Sequence, residues 1–373
     1  MLRKIARGVL ALVLAGVFSV SSAAAALELN IIAAPDVASW IERNASRFSE
    51  RVGQEVNISV KQIWGEPYVE ELTLIHAANV PYDVIQVNPG RNYHRFARLG
   101  LFLPLDGYIA RDGFDVSVIY PPIYQHQLVD GNTYALAFAA HPGAAGAYYN
   151  TVHFERRGLA PPDYNWTFDD FADYAVRLTE IGPSGDEPVI YGLELPSFYY
   201  ISPAFDADLV NPERTEVIPN RNGLIEALEW LLNLKERRGL IDPANGPVYD
   251  GRSSMKIQGP WEAINLRQSI IADSWDVAPF PTGPAGKVNG GAAWDGFAIP
   301  RTSQNPDLAW EFVRFMLEEE ALVDYAAMGG NPVANVWINL IPELLGMTGR
   351  EVYIRALESG QFVFDWPQEV QSL

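Results

Sequence analysis

Pro81-Tyr82-Asp83-Val84-Ile85-Gln86-Val87-Asn88-Pro89-Gly90 reads as a buried strand that stops at a turn. Its core of Val84, Ile85 and Val87 is apolar and partly β-branched, and Asn-Pro-Gly cannot continue it. Upstream, residues 56–60 place Val56, Ile58 and Val60 at every second position, the period of a strand. Further upstream, residues 29–32 form a short apolar run closed by Ala33-Ala34-Pro35. Between these strands lie two helical patterns. One carries Val37, Trp40, Ile41 and Phe48, and the other covers residues 68–78. Strand, helix, strand, helix, strand within the first hundred residues predicts βαβ units around a parallel sheet.

The rest of the chain keeps the α/β rhythm. Thr167 precedes a stripe of Phe168, Phe171, Tyr174, Ala175 and Leu178, with Asp169 and Asp170 in the first turn, where a helix dipole favours acids. Leu224, Leu228, Leu231 and Leu232 make a second stripe. Asn305-Pro306 opens a third, with Leu308, Phe312, Phe315 and Met316. All three read as helix faces turned to a core. Residues 181–188, 203–222 and 279–291 are rich in Pro, Gly, Asn and Asp and read as loops. At about 150 residues per domain, 373 residues predict two domains.

Composition narrows the function. The chain is 48% hydrophobic and 20% charged, as a folded globular protein is. Its net charge of −19 repels phosphate backbones and anionic headgroups, which argues against nucleic-acid and membrane-surface binding. It has no cysteine, hence no disulfide, thiolate metal cage or cysteine nucleophile. The N-terminus reads as a secretory signal peptide. Arg3, Lys4 and Arg7 are followed by an apolar stretch at residues 8–20. Ser21-Ser22-Ala23-Ala24-Ala25-Ala26 then supplies a cleavage site, expected after Ala26. With no cysteine there for a lipid anchor, a free periplasmic protein is expected.

Catalytic patterns are sparse. Five histidines form no H-E-x-x-H pair, and there is no G-x-S-x-G elbow, Walker A loop or G-x-G-x-x-G. Ser253-Ser254-Met255-Lys256 matches S-x-x-K without its companion motifs, and Lys256 reads as a solvated residue at a strand edge. A glycosidase would need two facing carboxylates. Asp83, Glu194 and Asp295 are candidates, but no motif ties any two together. Binding chemistry is better supplied. Of ten tryptophans, Trp64, Trp261 and Trp294 follow turn residues rather than helical stripes. Aromatic faces pack on the C–H surfaces of sugar rings while Asp and Asn take the hydroxyls.

In chain order, a series of segments resembles the family 1 extracellular solute-binding proteins, the periplasmic receptors of carbohydrate-type ABC importers. Pro81–Val87 is similar to the family's P-D-V strand, and Leu101-Phe102-Leu103-Pro104-Leu105-Asp106 to L-x-P-L-D. Gly131-Asn132-Thr133-Tyr134 and Tyr148-Tyr149-Asn150 resemble G-K-x-Y and x-Y-Y-N. Trp166-Thr167-Phe168-Asp169-Asp170-Phe171 resembles W-T-W-D-E-F, and Met255–Trp261 resembles M-x-I-x-G-P-W. Asp276–Pro281, Gly290–Pro300, Pro306–Leu317 and Asn331-Pro332-Val333 follow in place.

The resemblance implies an α/β, two-lobe periplasmic binding protein fold of type II-like form, with a ligand cleft between lobes joined by hinge strands. After the signal peptide, residues 27–140 and 293–327 would form the N-lobe, and 141–292 and 328–373 the C-lobe. It implies a receptor that captures a carbohydrate or polyol and delivers it to ABC permease subunits by hinge closure. Such a receptor is a monomer with no enzyme activity, cofactor or metal. Ligands of α/β sheets sit beyond the carboxyl ends of strands, which selects Asp36, Trp64, Asn88 and His141. The family match adds Trp261, Trp294 and Asp295, and Tyr199 enters by position within Phe198-Tyr199-Tyr200. Ala33-Ala34-Pro35 and His141-Pro142-Gly143 depart from the family's usual residues, and the chain stops soon after Trp366-Pro367, where a terminal helix would be expected to continue. The alternatives are a same-fold receptor for another solute, such as ferric iron held by adjacent tyrosines or glycerol phosphate, and a secreted glycosidase.

Overall fold

Leu29, Ile31 and Ile32 are fully buried because the strand that carries them, Leu27–Ala33, lies inside a sheet covered on both faces. In the computed structural model, residues 26–185, 187–207, 218–241, 248–286 and 293–358 are described. The expected signal peptide falls almost wholly outside them, as do Gly290 and Trp366-Pro367. Leu27–Ala33 pairs in parallel with Val56–Gln62 on one side and Val84–Val87 on the other. Ala293–Ala298 then joins antiparallel to Val84–Val87, and Ala135–His141 antiparallel to Ala293–Ala298, completing a five-stranded sheet.

Helix Pro35–Val52 begins on a proline, which suits the first helical position, and ends at Gly53 with φ 75°. It buries Val37, Trp40, Ile41 and Phe48. Trp40 ties the start of the chain to its late part: its indole N–H donates to Ala321 O at 2.8 Å, and its ring packs against Phe138, Phe297 and Tyr325. The first lobe is therefore closed by residues far apart in sequence.

The second lobe is built on Gly146–Asn150, flanked antiparallel by Met255–Gln258 and Trp275–Pro279. Helix Phe168–Leu178 packs on it, started by the capping box that Thr167 and Asp170 form with each other's backbone N–H. Phe168, Phe171, Ala175 and Leu178 are buried, as their spacing predicts. The leucine stripe differs. In helix Arg221–Glu236 the buried residues are Gly223, Ala227 and Leu234, while Leu228 and Leu232 are 50% and 59% exposed. Gly223 fixes the rotation, because its missing Cβ lets the helix start lie directly on the Phe205 and Asp206 backbone.

The late chain also departs from the expected boundary at residue 328. Val333, Ala334, Ile338, Leu344 and Leu357 join the first lobe's core, while Tyr353 and Ala356 join the second lobe, with Val352 packed against them. Backbone pairing explains this. Ala140 N donates to Pro332 O and Ala334 N to Phe138 O, so residues 332–334 extend the edge of Ala135–His141. The chain thus passes from the first lobe to the second at 141–146 and is in the first again at Ala293, while residues 353–357 touch the cores of both. Among the described residues no helix is long and apolar enough to cross a membrane.

Candidate functional site

Asn88 directly follows strand Val84–Val87 and caps the short turn Pro89–Arg91, its Oδ1 accepting from Gly90 N at 2.8 Å. This fixes the amide so that Nδ2 faces the next strand. There it donates to Asp295 Oδ1 at 2.9 Å and to Trp294 O at 3.1 Å. Asp295 sits at a register shift before Gly296, where a bulge re-aims its side chain. Gly296 permits that bulge, since a Cβ there would stand 2.7 Å from Leu136 O.

His141 ends the strand Ala135–His141 and completes the cluster. Its Nε2 is 3.4 Å from Asp295 Oδ2 and 3.3 Å from Asn88 Nδ2. With Nε2 protonated it donates to Asp295, and in the other tautomer it accepts from Asn88. The His141 ring meets Trp261 edge to face at 5.6 Å. Trp261 comes from the second lobe, immediately after Gly259-Pro260, and is half-buried. Gly259 is required here, because a Cβ would lie 2.1 Å from the Trp261 ring. Polar groups of the first lobe and an aromatic ring of the second therefore face one another.

Asp36 stands in the first turn of helix Pro35–Val52, solvent-accessible yet walled by protein. That crowding raises its pKa from the ordinary aspartate value, and the nearby Asp295 charge raises it further. Trp64 is half-buried, 4.9 Å from Tyr68, with the Arg91 guanidinium 5.7 Å from its ring centre. Tyr68 is fully buried and donates to Gln86 O.

Two expected residues stand elsewhere. Trp294 is fully buried, edge-on to Tyr93 at 4.9 Å, and its indole N–H donates to His126 Nδ1 at 3.1 Å. The reason is strand geometry: neighbours in a strand point to opposite faces, so Asp295 in the cleft puts Trp294 in the core. Trp294 serves the site through its carbonyl, not a stacking face. Tyr199 lies in helix Phe198–Ile201, and its side chain is outside the described set.

Sequence reading missed three contributors. Arg91 places its guanidinium over the Trp64 ring, three residues past Asn88 in the same turn. Tyr200 has its ring 6.5 Å from Trp261, and burial pushes its phenol up to about 12. Lys256 is not a solvated edge residue. Its side chain is 14% exposed and its Nζ lies 2.9 Å from Glu194 Oε1 and 3.2 Å from Glu262 Oε1. Burial alone would lower the Lys256 pKa, but the Glu262 and Glu194 carboxylates outweigh it and raise it. Lys256 and Gln258 share one face of the strand Met255–Gln258, opposite the buried Met255 and Ile257.

The carboxylates considered for glycoside chemistry have structural partners. Asp83 is buried and accepts from Asn30 N at 2.9 Å and Ser303 Oγ at 2.7 Å. Glu194 accepts from Val248 N at 2.9 Å besides holding Lys256. Among the described residues no group of three or more His, Asp or Glu is placed to hold a metal ion.

Residues 34–323 match the family described as bacterial extracellular solute-binding protein. The chain belongs to that family. The match runs from the start of the first helix to the helix that returns to Trp40, so it takes in the entire polar cluster. A Brucella abortus (strain 2308) protein described as a binding protein is 25% identical over 236 residues, covering 60% of this chain and 56% of that one. The aligned region thus spans little more than half of the curated relative. Solved structures share the fold. A Listeria monocytogenes ABC substrate-binding protein in complex with cycloalternan has a TM-score of 0.81 at 21% identity, covering 93% of this chain and 91% of the other. The GacH receptor of Streptomyces glaucescens, solved unliganded and with acarbose, has a TM-score of 0.79 at 16% identity, covering 91% and 88%. The fold is therefore that of the two-lobe solute-binding proteins.

Proposed function

We propose that this protein is the substrate-binding receptor of an ABC importer and takes a neutral carbohydrate or polyol. The observation that carries the reading is the Asn88–Asp295–His141 cluster facing Trp261 across the lobe junction. A sugar ring presents an apolar C–H face and a rim of hydroxyls. Trp261 suits the first, and Asp295, Asn88 and Asp36 suit the second. The sugar- and polyol-bound relatives of the same fold, with cycloalternan, acarbose and D-mannitol, support the class.

Charge bears on the alternatives. The Asp295 carboxylate already disfavours a negative charge at Asp36, so a phosphate placed beside them would be repelled, which weighs against glycerol phosphate. In this reading the mature protein works as a monomer in the periplasm. Ligand bridges Trp261 of one lobe and Asp295 of the other, favours the closed arrangement, and the closed form engages the permease.

The test is thermal melting across mono-, di- and oligosaccharides, polyols, glycerol phosphates and Fe³⁺, with chromogenic glycosides run in parallel. A ligand that binds only the folded state adds about 2.7 kcal/mol at a hundredfold excess over its Kd. A shift with one sugar class and no turnover supports the receptor. A shift with Fe³⁺ alone, or glycoside turnover, overturns it.

A further inference from the structure

We propose that the ligand is longer than one sugar ring, and that its second unit occupies a cavity beside Trp261. The inference rests on the receptor reading and adds the length of the substrate. A cavity of about 580 Å³ adjoins the strand Met255–Gln258. Tyr200 lines it, and the Tyr200 ring is 6.5 Å from Trp261, which in turn meets His141. Gln258 also lines it and immediately precedes Gly259-Pro260-Trp261. Tyr200 thus lies between Trp261 and the cavity.

The chemistry of the cavity fits a neutral polyhydroxylated ring. The two charged residues that line it pair with each other, Lys256 Nζ lying 2.9 Å from Glu194 Oε1, and the same ammonium meets Glu262 at 3.2 Å and the Tyr249 hydroxyl at 3.4 Å. With two carboxylates to one ammonium the cluster keeps a net negative charge, which disfavours an anionic ligand. Two neutral polar groups remain, since the Ser197 hydroxyl and Gln258 Nε2 make no hydrogen bond among the described residues. Leu195, Phe198 and Leu228 supply apolar walls for C–H faces. Ligand sites run from about 300 to 1,000 Å³. A single ring held by Asn88, Asp295 and Trp261 would leave this cavity outside its reach.

Isothermal titration with D-glucose, maltose and maltotriose, and with D-mannose, mannobiose and mannotriose, tests the proposal. In at least one series Kd should fall by about tenfold or more from one unit to two. Leu228→Trp fills the cavity from a half-exposed helix position. It should abolish that gain while leaving the monosaccharide Kd within about twofold, and Ser197→Trp should do the same if Leu228→Trp fails to fold. Equal affinity for one and two units, or a variant that weakens both lengths alike, overturns the length claim and leaves the receptor standing. Absence of binding at every length in both series, together with no melting shift for any sugar or polyol of the wider panel, overturns both.

Discussion

Asn88 Nδ2 donates to Asp295 Oδ1 at 2.9 Å, joining residues 207 positions apart in sequence. The bond crosses from the end of a parallel strand to a bulge in the antiparallel strand beside it. It fixes the carboxylate on which the site is built, and the same carboxylate reaches His141 and acts on Asp36.

Asp295→Asn should remove that charge while keeping the shape. Ligand affinity is expected to fall by about tenfold to a hundredfold, the effect of losing a hydrogen bond to a charged group. The Asp36 pKa should also fall part-way toward the usual carboxylate value, because the Asp295 charge is the second of the two causes that raise it. Carboxyl titration followed by NMR reads the second effect, and an unmoved Asp36 would disprove the coupling.

The raised Asp36 pKa has a consequence for stability. The folded protein holds this proton more tightly than the unfolded chain does, so stability falls as pH rises through the unfolded value to the raised folded one. Above that window the ionised Asp36 is a cost to the ligand-free protein. Asp36→Asn should therefore raise the ligand-free melting temperature at pH 7, change it little below the unfolded pKa, and weaken ligand binding. Melting curves at both pH values check the sign.

Gly259→Ala should weaken binding without touching the ligand. The new methyl would fall inside the Trp261 ring and force it to move. Intrinsic fluorescence of the Trp261 environment should change together with affinity. Wild-type affinity with an unmoved ring would show that Trp261 is not a binding face.

Lys256→Met should destabilise the protein by about 3–5 kcal/mol at neutral pH, because it strands the buried carboxylates of Glu194 and Glu262. Restoring neutrality with Glu194→Gln and Glu262→Gln should recover most of the loss. Urea denaturation of the single and triple variants measures both. A single variant as stable as the wild type would contradict the ion cluster.

Much of this arrangement is legible in the sequence. Val84–Val87 and its turn declare themselves by apolar run and Asn-Pro-Gly, and the rule that sites follow strands selects Asn88, Asp36 and His141 without a structure. Trp294 and Asp295 show where that reading stops. Both stand in one segment, and only the bulge before Gly296 decides which faces the cleft. Lys256 was unreadable for a related reason: its partners Glu194 and Glu262 come from different elements, and burial arises only when these meet. The leucines of Arg221–Glu236 carried a clear period, yet Gly223 and its close backbone contact set the helix rotation.

The most direct measurement is isothermal titration of wild-type and Trp261→Ala protein with the sugar that raises the melting temperature most. The account predicts a loss of about 1–3 kcal/mol in binding from the lost apolar contact, with the ligand-free protein still folded because Trp261 is only half-buried. Trp294→Ala, its fully buried counterpart, should instead lose about 3–5 kcal/mol of folding stability. Unchanged affinity in Trp261→Ala would contradict the placement of the ligand between the two lobes.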